Sequence, residues 1–180
     1  ERERPGPVGE YAMSCLARER AFEYAANHYG TNVFIYRLNF AVDLRYGVLY
    51  DMADKIMRGE PISVTTPCLN CIWQGSANEI AIRGLLHAAS PAKIMNVTGP
   101  ETVSVQKAAR MLGEILGKDP LFEGEPGQDA YLNDSAEAME LFGYPAVSVK
   151  TLIRWQAQWL LCGGRALGKP THFEERKGSY

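Results

Sequence analysis

The run Val33-Phe34-Ile35-Tyr36-Arg37-Leu38 constrains the fold more than any other stretch of the sequence. It is rich in β-branched and aromatic residues and lacks polar alternation, the pattern of a strand covered on both faces in a parallel sheet. Parallel strands need a crossover, most often a helix, and helical periodicity flanks the run on both sides. Over residues 11–29, Tyr11, Cys15 and Arg18 share one face, and Met13, Leu16, Ala17, Tyr24 and Ala25 supply apolar contacts at helical spacing. Gly30 caps that helix. A second helix is predicted from about Tyr46 to Arg58, with Val48, Leu49, Met52, Ala53, Ile56 and Met57 on its apolar side and Gly59 at its end.

The alternation continues along the chain. Ile62-Ser63-Val64 reads as a brief strand, and residues 76–89 as a helix with Ile80, Ala81, Leu85 and Leu86 inward, stopped by Pro91. Ile94-Met95-Asn96-Val97 is a strand. Ser104 caps a helix carrying Val105, Ala108, Ala109, Leu112, Ile115 and Leu116, with Gly117 after it. Asp134 with Glu137 makes a capping-box-like start for a helix that reaches Leu141-Phe142 and stops at Gly143. Ser148 caps the last helix, whose apolar positions are Val149, Leu152, Ile153, Trp155, Trp159 and Leu160. The opening ERERPGPVGE, residues 1–10, reads as a linker or a cut end, and residues 163–180 as an irregular tail. The class is α/β, helix-rich, with a single domain over 1–180.

Several function classes are excluded. A net charge of −2 lacks the basic excess of a sequence-independent nucleic-acid binder. No apolar run approaches the ~18 residues of a membrane span. No charged-then-apolar N-terminal segment resembles a secretory signal, so a cytoplasmic chain with reduced thiols is expected. Cys68 and Cys71 form a lone C-x-x-C; a zinc site needs two further ligands, and neither Cys15 nor Cys162 lies at suitable spacing. No metal is expected, and Cys68 and Cys71 read as ordinary loop thiols. His28, His87 and His172 are scattered and read as surface or packing residues.

Four segments carry a resemblance. Tyr11-Ala12-Met13-Ser14-Cys15-Leu16-Ala17-Arg18-Glu19 resembles a Y-x-x-S-K-x-x-x-E helix with Cys at the Lys position. Arg37-Leu38-Asn39 is similar to an R-x-x-N-V-Y-G strand end. The segment from Asn96 to Val105, NVTGPETVSV, resembles N-I-G-G-P-E-x-x-S, and Asp134 through Pro145 fits D-x-S-K-A-x-x-L-G-W-x-P. Together they resemble, in order, the C-terminal, substrate-side portion of the NAD(P)-dependent epimerase/dehydratases, the extended short-chain dehydrogenase/reductase family. The family's N-terminal Rossmann half carries a G-x-x-G-x-x-G turn that brings backbone against the dinucleotide pyrophosphate. This sequence has no such turn; Gly163-Gly164 with Gly168 follows no buried strand. The resemblance implies NAD or NADP for a parent enzyme and no dinucleotide binding by this chain alone.

It also implies site residues. In the family a Tyr moves the proton while hydride passes to or from the nicotinamide, and a Lys one turn on lowers the Tyr pKa and bonds the nicotinamide ribose. Tyr11 stands at the Tyr position, catalytic and cofactor-facing, and Cys15 at the Lys position. A thiol, with an unperturbed pKa of about 8.5, supplies no positive charge at neutral pH, and a tyrosine without a cation stays near ~10, too high for an efficient base. Arg18, two turns from Tyr11, is the cation that could reach back. Leu38 is placed beside the cofactor; Asn39, Phe40, Trp73 and Gln74 are placed against substrate. Asn39 and Trp73 also have bland readings, as a strand-end turn residue and as core packing.

Family members acting on nucleotide sugars hold the diphosphate with arginines. The matching places here are Leu69-Asn70, before Ile72-Trp73, and Glu123-Gly124-Glu125. Neither offers an Arg, and diphosphate binding without a bidentate cation is poor. A simpler hydroxylated or carbonyl compound is the expected substrate. Two functional readings follow: the substrate-side part of an oxidoreductase, inactive without a Rossmann half, or a stand-alone binding or oligomerisation module without redox chemistry. The resemblance further implies a homodimer, or a larger oligomer, through the helix that bears Tyr11.

Overall fold

A computed structural model describes residues 5–169, 171 and 173. The order is α1 (Gly9–Tyr29), β1 (Phe34–Leu38), β2 (Ala41–Val42), α2 (Val48–Arg58), β3 (Ile62–Ser63), β4 (Cys68–Leu69), β5 (Ile72–Trp73) and α3 (Gln74–Gly84). Then follow a 3-10 turn (Leu85–His87), β6 (Lys93–Val97), β7 (Val103–Ser104), α4 (Val105–Leu116), β8 (Phe122–Glu123), α5 (Ala136–Phe142) and α6 (Val149–Leu161). The α/β class holds. The strands form two-stranded pairs: β1–β6, β2–β5 and β3–β8 are parallel and β4–β7 is antiparallel.

Two apolar cores hold these elements. The larger lies among α2, α4 and α6, where Leu49, Met52, Ile56, Leu112, Leu152 and Ile153 are buried. Each contributes about 1.5–3 kcal/mol by leaving water. The predicted caps set the ends of these helices: Ser104 Oγ accepts from Lys107 N at 3.3 Å and Ser148 Oγ from Thr151 N at 3.3 Å, each worth about 1 kcal/mol. The second core joins the β1–β6 pair to α3 and α5 through Ile80, Met95, Val97, Met139 and Phe142. Beyond α6, residues 163–169 are irregular, but Phe173 is buried in the helical core and Thr171 N donates to Asp51 Oδ2 at 3.2 Å. Residues 170, 172 (the third histidine) and 174–180 lie outside the described residues, as do 1–4.

Several details depart from the sequence reading, each for a local reason. Helix α1 starts at Gly9, two residues into the expected linker, and Ala26 is its one buried residue. Helix α2 starts at Val48 rather than Tyr46, because Gly47 precedes it in a left-handed conformation, φ 119°. Leu85 and Leu86 point outward, 70% and 87% exposed. Gly84 packs its Cα against the Phe34 ring, where a Cβ would sit 2.5 Å from Cε1, and the chain then tightens to three residues per turn, rotating both leucines out of the helical stripe. The capping box does not close: Asp134 Oδ1 accepts from Ala136 N at 2.9 Å, while Glu137 pairs with Lys93. Strand β1 is half-buried rather than covered on both faces, and Leu38 is 44% exposed; among the described residues β1 pairs with β6 alone.

Candidate functional site

Strands β1 and β6 run parallel in register and finish together, Leu38 opposite Val97. Asn39 N extends the ladder by donating to Val97 O at 3.0 Å. The space beyond the carboxyl ends of parallel strands is where open α/β folds place ligands. Asn39 and Phe40 occupy it. Phe40 has φ 42°, the one non-glycine residue with positive φ among the described residues. That conformation costs a bulky side chain about 1–2 kcal/mol. Two contacts hold it: Ile72 N donates to Phe40 O at 3.1 Å, and the ring meets Tyr131 edge-on with centroids 5.8 Å apart.

Asn39 belongs to a network of amides. Its Nδ2 donates to Asn70 Oδ1 at 2.8 Å and to Asn70 O at 3.3 Å. Asn70 is 5% exposed. Its Nδ2 donates to Asn133 O at 2.8 Å, and its Oδ1 also accepts from Asn133 N at 3.2 Å. Beside these bonds Asn70 N donates to Tyr131 O and Tyr131 N to Cys68 O. Sequence reasoning placed Asn39 and Phe40 but missed Asn70, Tyr131 and Asn133. The signal for Asn70 was an amide inside the otherwise apolar stretch Cys68 to Trp73.

The Gly99 of the N-V-T-G-P segment has a packing reason: a Cβ there would lie 2.2 Å from Cys71 O. Cys71 is 1% exposed in the helical core, and burial pushes its thiol up to about 12. Among the described residues no cluster of His, Cys, Asp and Glu has metal-binding geometry.

Tyr11, Cys15 and Leu38 face a groove of about 1830 Å³ that follows β1 between α1 and α5. Arg18 Nη2 donates to Cys15 Sγ at 3.8 Å. The guanidinium thus stands beside the Cys15 thiol, on the helix face carrying Tyr11. Glu19 joins α1 to β1 through a two-pronged pair with Arg37, one prong being Nε to Oε2 at 2.9 Å. Trp73 and Gln74 fall elsewhere. Trp73 packs on the helical core, edge-on to Trp155 with centroids 5.8 Å apart. Gln74 Nε2 donates to Asn78 Oδ1 at 2.9 Å along α3. Leu69 is fully buried opposite Val103.

No protein-family model and no curated protein match the sequence. Solved structures do match. UDP-glucuronic acid 4-epimerase from Bacillus cereus, in complex with NAD, aligns with a TM-score of 0.76 and 19% identity, over 93% of this chain and 56% of that one. This chain has the fold of the helix-rich C-terminal portion of an extended short-chain dehydrogenase/reductase. A UDP-galactose 4-epimerase aligns with a TM-score of 0.70 and 22% identity over 91% of this chain and 57% of that one. The dTDP-glucose 4,6-dehydratase of Bacillus anthracis aligns at 0.74 and 14% over 90% and 55%. The chain therefore spans a little more than half the length of these epimerases and dehydratases. None of its helices among the described residues is long and apolar enough to cross a membrane.

The Glu19–Arg37 pair makes the docking of α1 depend on pH. The hydrogen bond from Arg37 holds the Glu19 carboxyl below its ordinary 4.5. A lowered acid contributes stability that is full above its unfolded value and is lost as pH falls through the lowered value. Glu19→Gln is expected to cost about 1 kcal/mol at neutral pH, a charged hydrogen bond discounted for solvent screening, and to flatten the acid limb of a melting-temperature-against-pH curve. Superimposable curves for variant and wild type would show that the pair does not hold α1.

Proposed function

We propose that this chain is the substrate-side part of an NAD(P)-dependent oxidoreductase of the epimerase/dehydratase type, not catalytically competent alone. The observation that carries this reading is the groove along β1. Its floor is the outer edge of a parallel strand and its walls are the helices α1 and α5, so its shape suits one further parallel strand. A helix leading into β1 is the second half of a right-handed strand–helix–strand unit. A nucleotide-binding half that added its last strand to β1 would bring its cofactor to the carboxyl ends of β1 and β6, beside Tyr11, Leu38 and Asn39. NAD or NADP fits that half and not this one: among the described residues no glycine turn joins a buried strand to a helix N-terminus in the way a pyrophosphate requires.

In this reading Tyr11 is the proton-transfer residue, and Cys15 leaves it without the family's ammonium group. Arg18, held at the Cys15 sulfur, is the cation that α1 brings to that position. Asn39 and Phe40 form the substrate wall. The buried Leu69 in place of an arginine argues for a small hydroxylated or carbonyl compound and against a nucleotide sugar. A stand-alone binding or assembly module is the second reading, favoured by Cys15. The exposed Met13, Tyr24 and Tyr29 of α1, outside the groove, support self-association through that helix.

Titration with NAD(H) and NADP(H), followed by tryptophan fluorescence and calorimetry, tests the division of labour. The expected result is no saturable binding by this chain; micromolar binding would overturn it. Sedimentation at micromolar concentration is expected to give a dimer or larger species, and a monomer alone would contradict association through α1.

A further inference from the structure

Helix α1 is long and lightly held. It has 21 residues, and Ala26 is its one buried residue. A helix in a protein draws most of its stability from the apolar face it buries, and this one buries little. Its early turns stand over the groove along β1 rather than on a core: Ala12, Cys15, Leu16, Glu19 and Phe22 line that groove. Polar contacts tie the helix to the body, among them the Glu19–Arg37 pair and the bond that Ser90 Oγ donates to Ala26 O at 2.7 Å. A second apolar stripe lies away from Glu19. Met13 and Tyr24, about three turns apart at helical spacing, are both 53% exposed and outside the groove.

The link from α1 to β1 is free to change course. Gly30 is left-handed at φ 66°, and a Cβ there would meet no atom within 4 Å. Thr31 and Asn32 are exposed. The body begins at Val33, whose N donates to Ala89 O at 2.9 Å.

We infer that two copies of this chain exchange α1, each laying the helix over β1 of the other, so that Glu19 of one copy pairs with Arg37 of the second. The helix leaves its own body at small cost, because it buries one residue there. Exchange keeps the Glu19–Arg37 and Ser90–Ala26 contacts and redirects the chain only at Gly30, Thr31 and Asn32. It also brings a second chain to the stripe of Met13 and Tyr24, which a single copy leaves in water. The groove becomes composite: Tyr11, Cys15 and Arg18 of one copy stand over β1 of the other. This deepens the self-association proposed through α1 and rests on it, adding which copy's Arg37 each Glu19 meets.

Two measurements separate exchange from a dimer whose copies lie side by side with their own helices in place. The first uses the wild-type chain, with isotope-labelled and unlabelled copies refolded together. An isotope-filtered spectrum is expected to show Ala26 of one copy against Ser90 of the other. Contacts confined within copies, in a species that sediments as a dimer, would overturn exchange and leave association standing. A monomer would overturn both. The second measurement reverses charges. Glu19→Arg and Arg37→Glu each set like charges face to face, and each variant alone is expected to melt about 2–4 °C below wild type, a shift in proportion to a chain of this size. A chain carrying both changes restores the pair in either arrangement and should melt like wild type. An equimolar mixture of the two single variants, refolded together, restores both pairs only where α1 crosses between copies. That mixture is expected to form a mixed dimer that melts like wild type. A mixture that melts like the single variants would overturn exchange.

Discussion

Five residues of β1 lie in parallel register with five of β6, from Phe34 against Lys93 to Leu38 against Val97. That ladder fixes the plane to which α3 and α5 attach, and it sets the level at which both strands end. Asn39 leaves the sheet where β6 also leaves it, and Asn70 meets it there. Parallel pairing also leaves an edge to be managed. On one side β1 bonds β6; on the other it meets a groove walled by helices. The half-buried state of β1, the exposed face of α1 and the charged Glu19–Arg37 link between them share this origin: a strand built for the inside of a sheet stands at its edge.

Much of the fold could be read from the sequence where one local rule decided the outcome. The caps at Ser104 and Ser148 needed only a hydroxyl before an apolar stripe, and the structure has both. The stripes of α2 and α4 repeat at the helical period and bury the residues expected of them, except that Met57 and Ile115 are half-buried. Reading failed where distant residues decided. Leu85 and Leu86 keep the stripe of α3 in sequence, but the docking of Gly84 on Phe34 ends that helix before them. Glu137 sits at capping-box spacing from Asp134, yet Lys93, more than forty residues away, takes it. Burial of β1 was overestimated because composition reports what a strand is suited to, not which neighbours it has.

The site divides in the same way. Tyr11, Cys15 and Leu38 meet in one groove, and Asn39 and Phe40 stand at the strand ends, where their order along the chain put them. Trp73 and Gln74 follow β4 and β5 away from that place. Asn133 was invisible to pattern reading, and Asn70 showed only as an amide in an apolar stretch, because an amide becomes a structural link only when a particular backbone segment lies opposite it. What results is a strand-end site made of neutral amides and a strained Phe40, with carboxylates and the guanidiniums of Arg18 and Arg37 along the groove wall.

Amide hydrogen exchange across residues 34–38 of the isolated chain shows whether the outer edge of β1 is open. In a strand the N–H groups alternate between its two edges. Protection is expected for the amides bonded to β6, and exchange close to that of open backbone for the alternate amides facing the groove. Uniform protection along β1 would contradict it, since the edge would then already be filled and the groove would not be a place for a further strand.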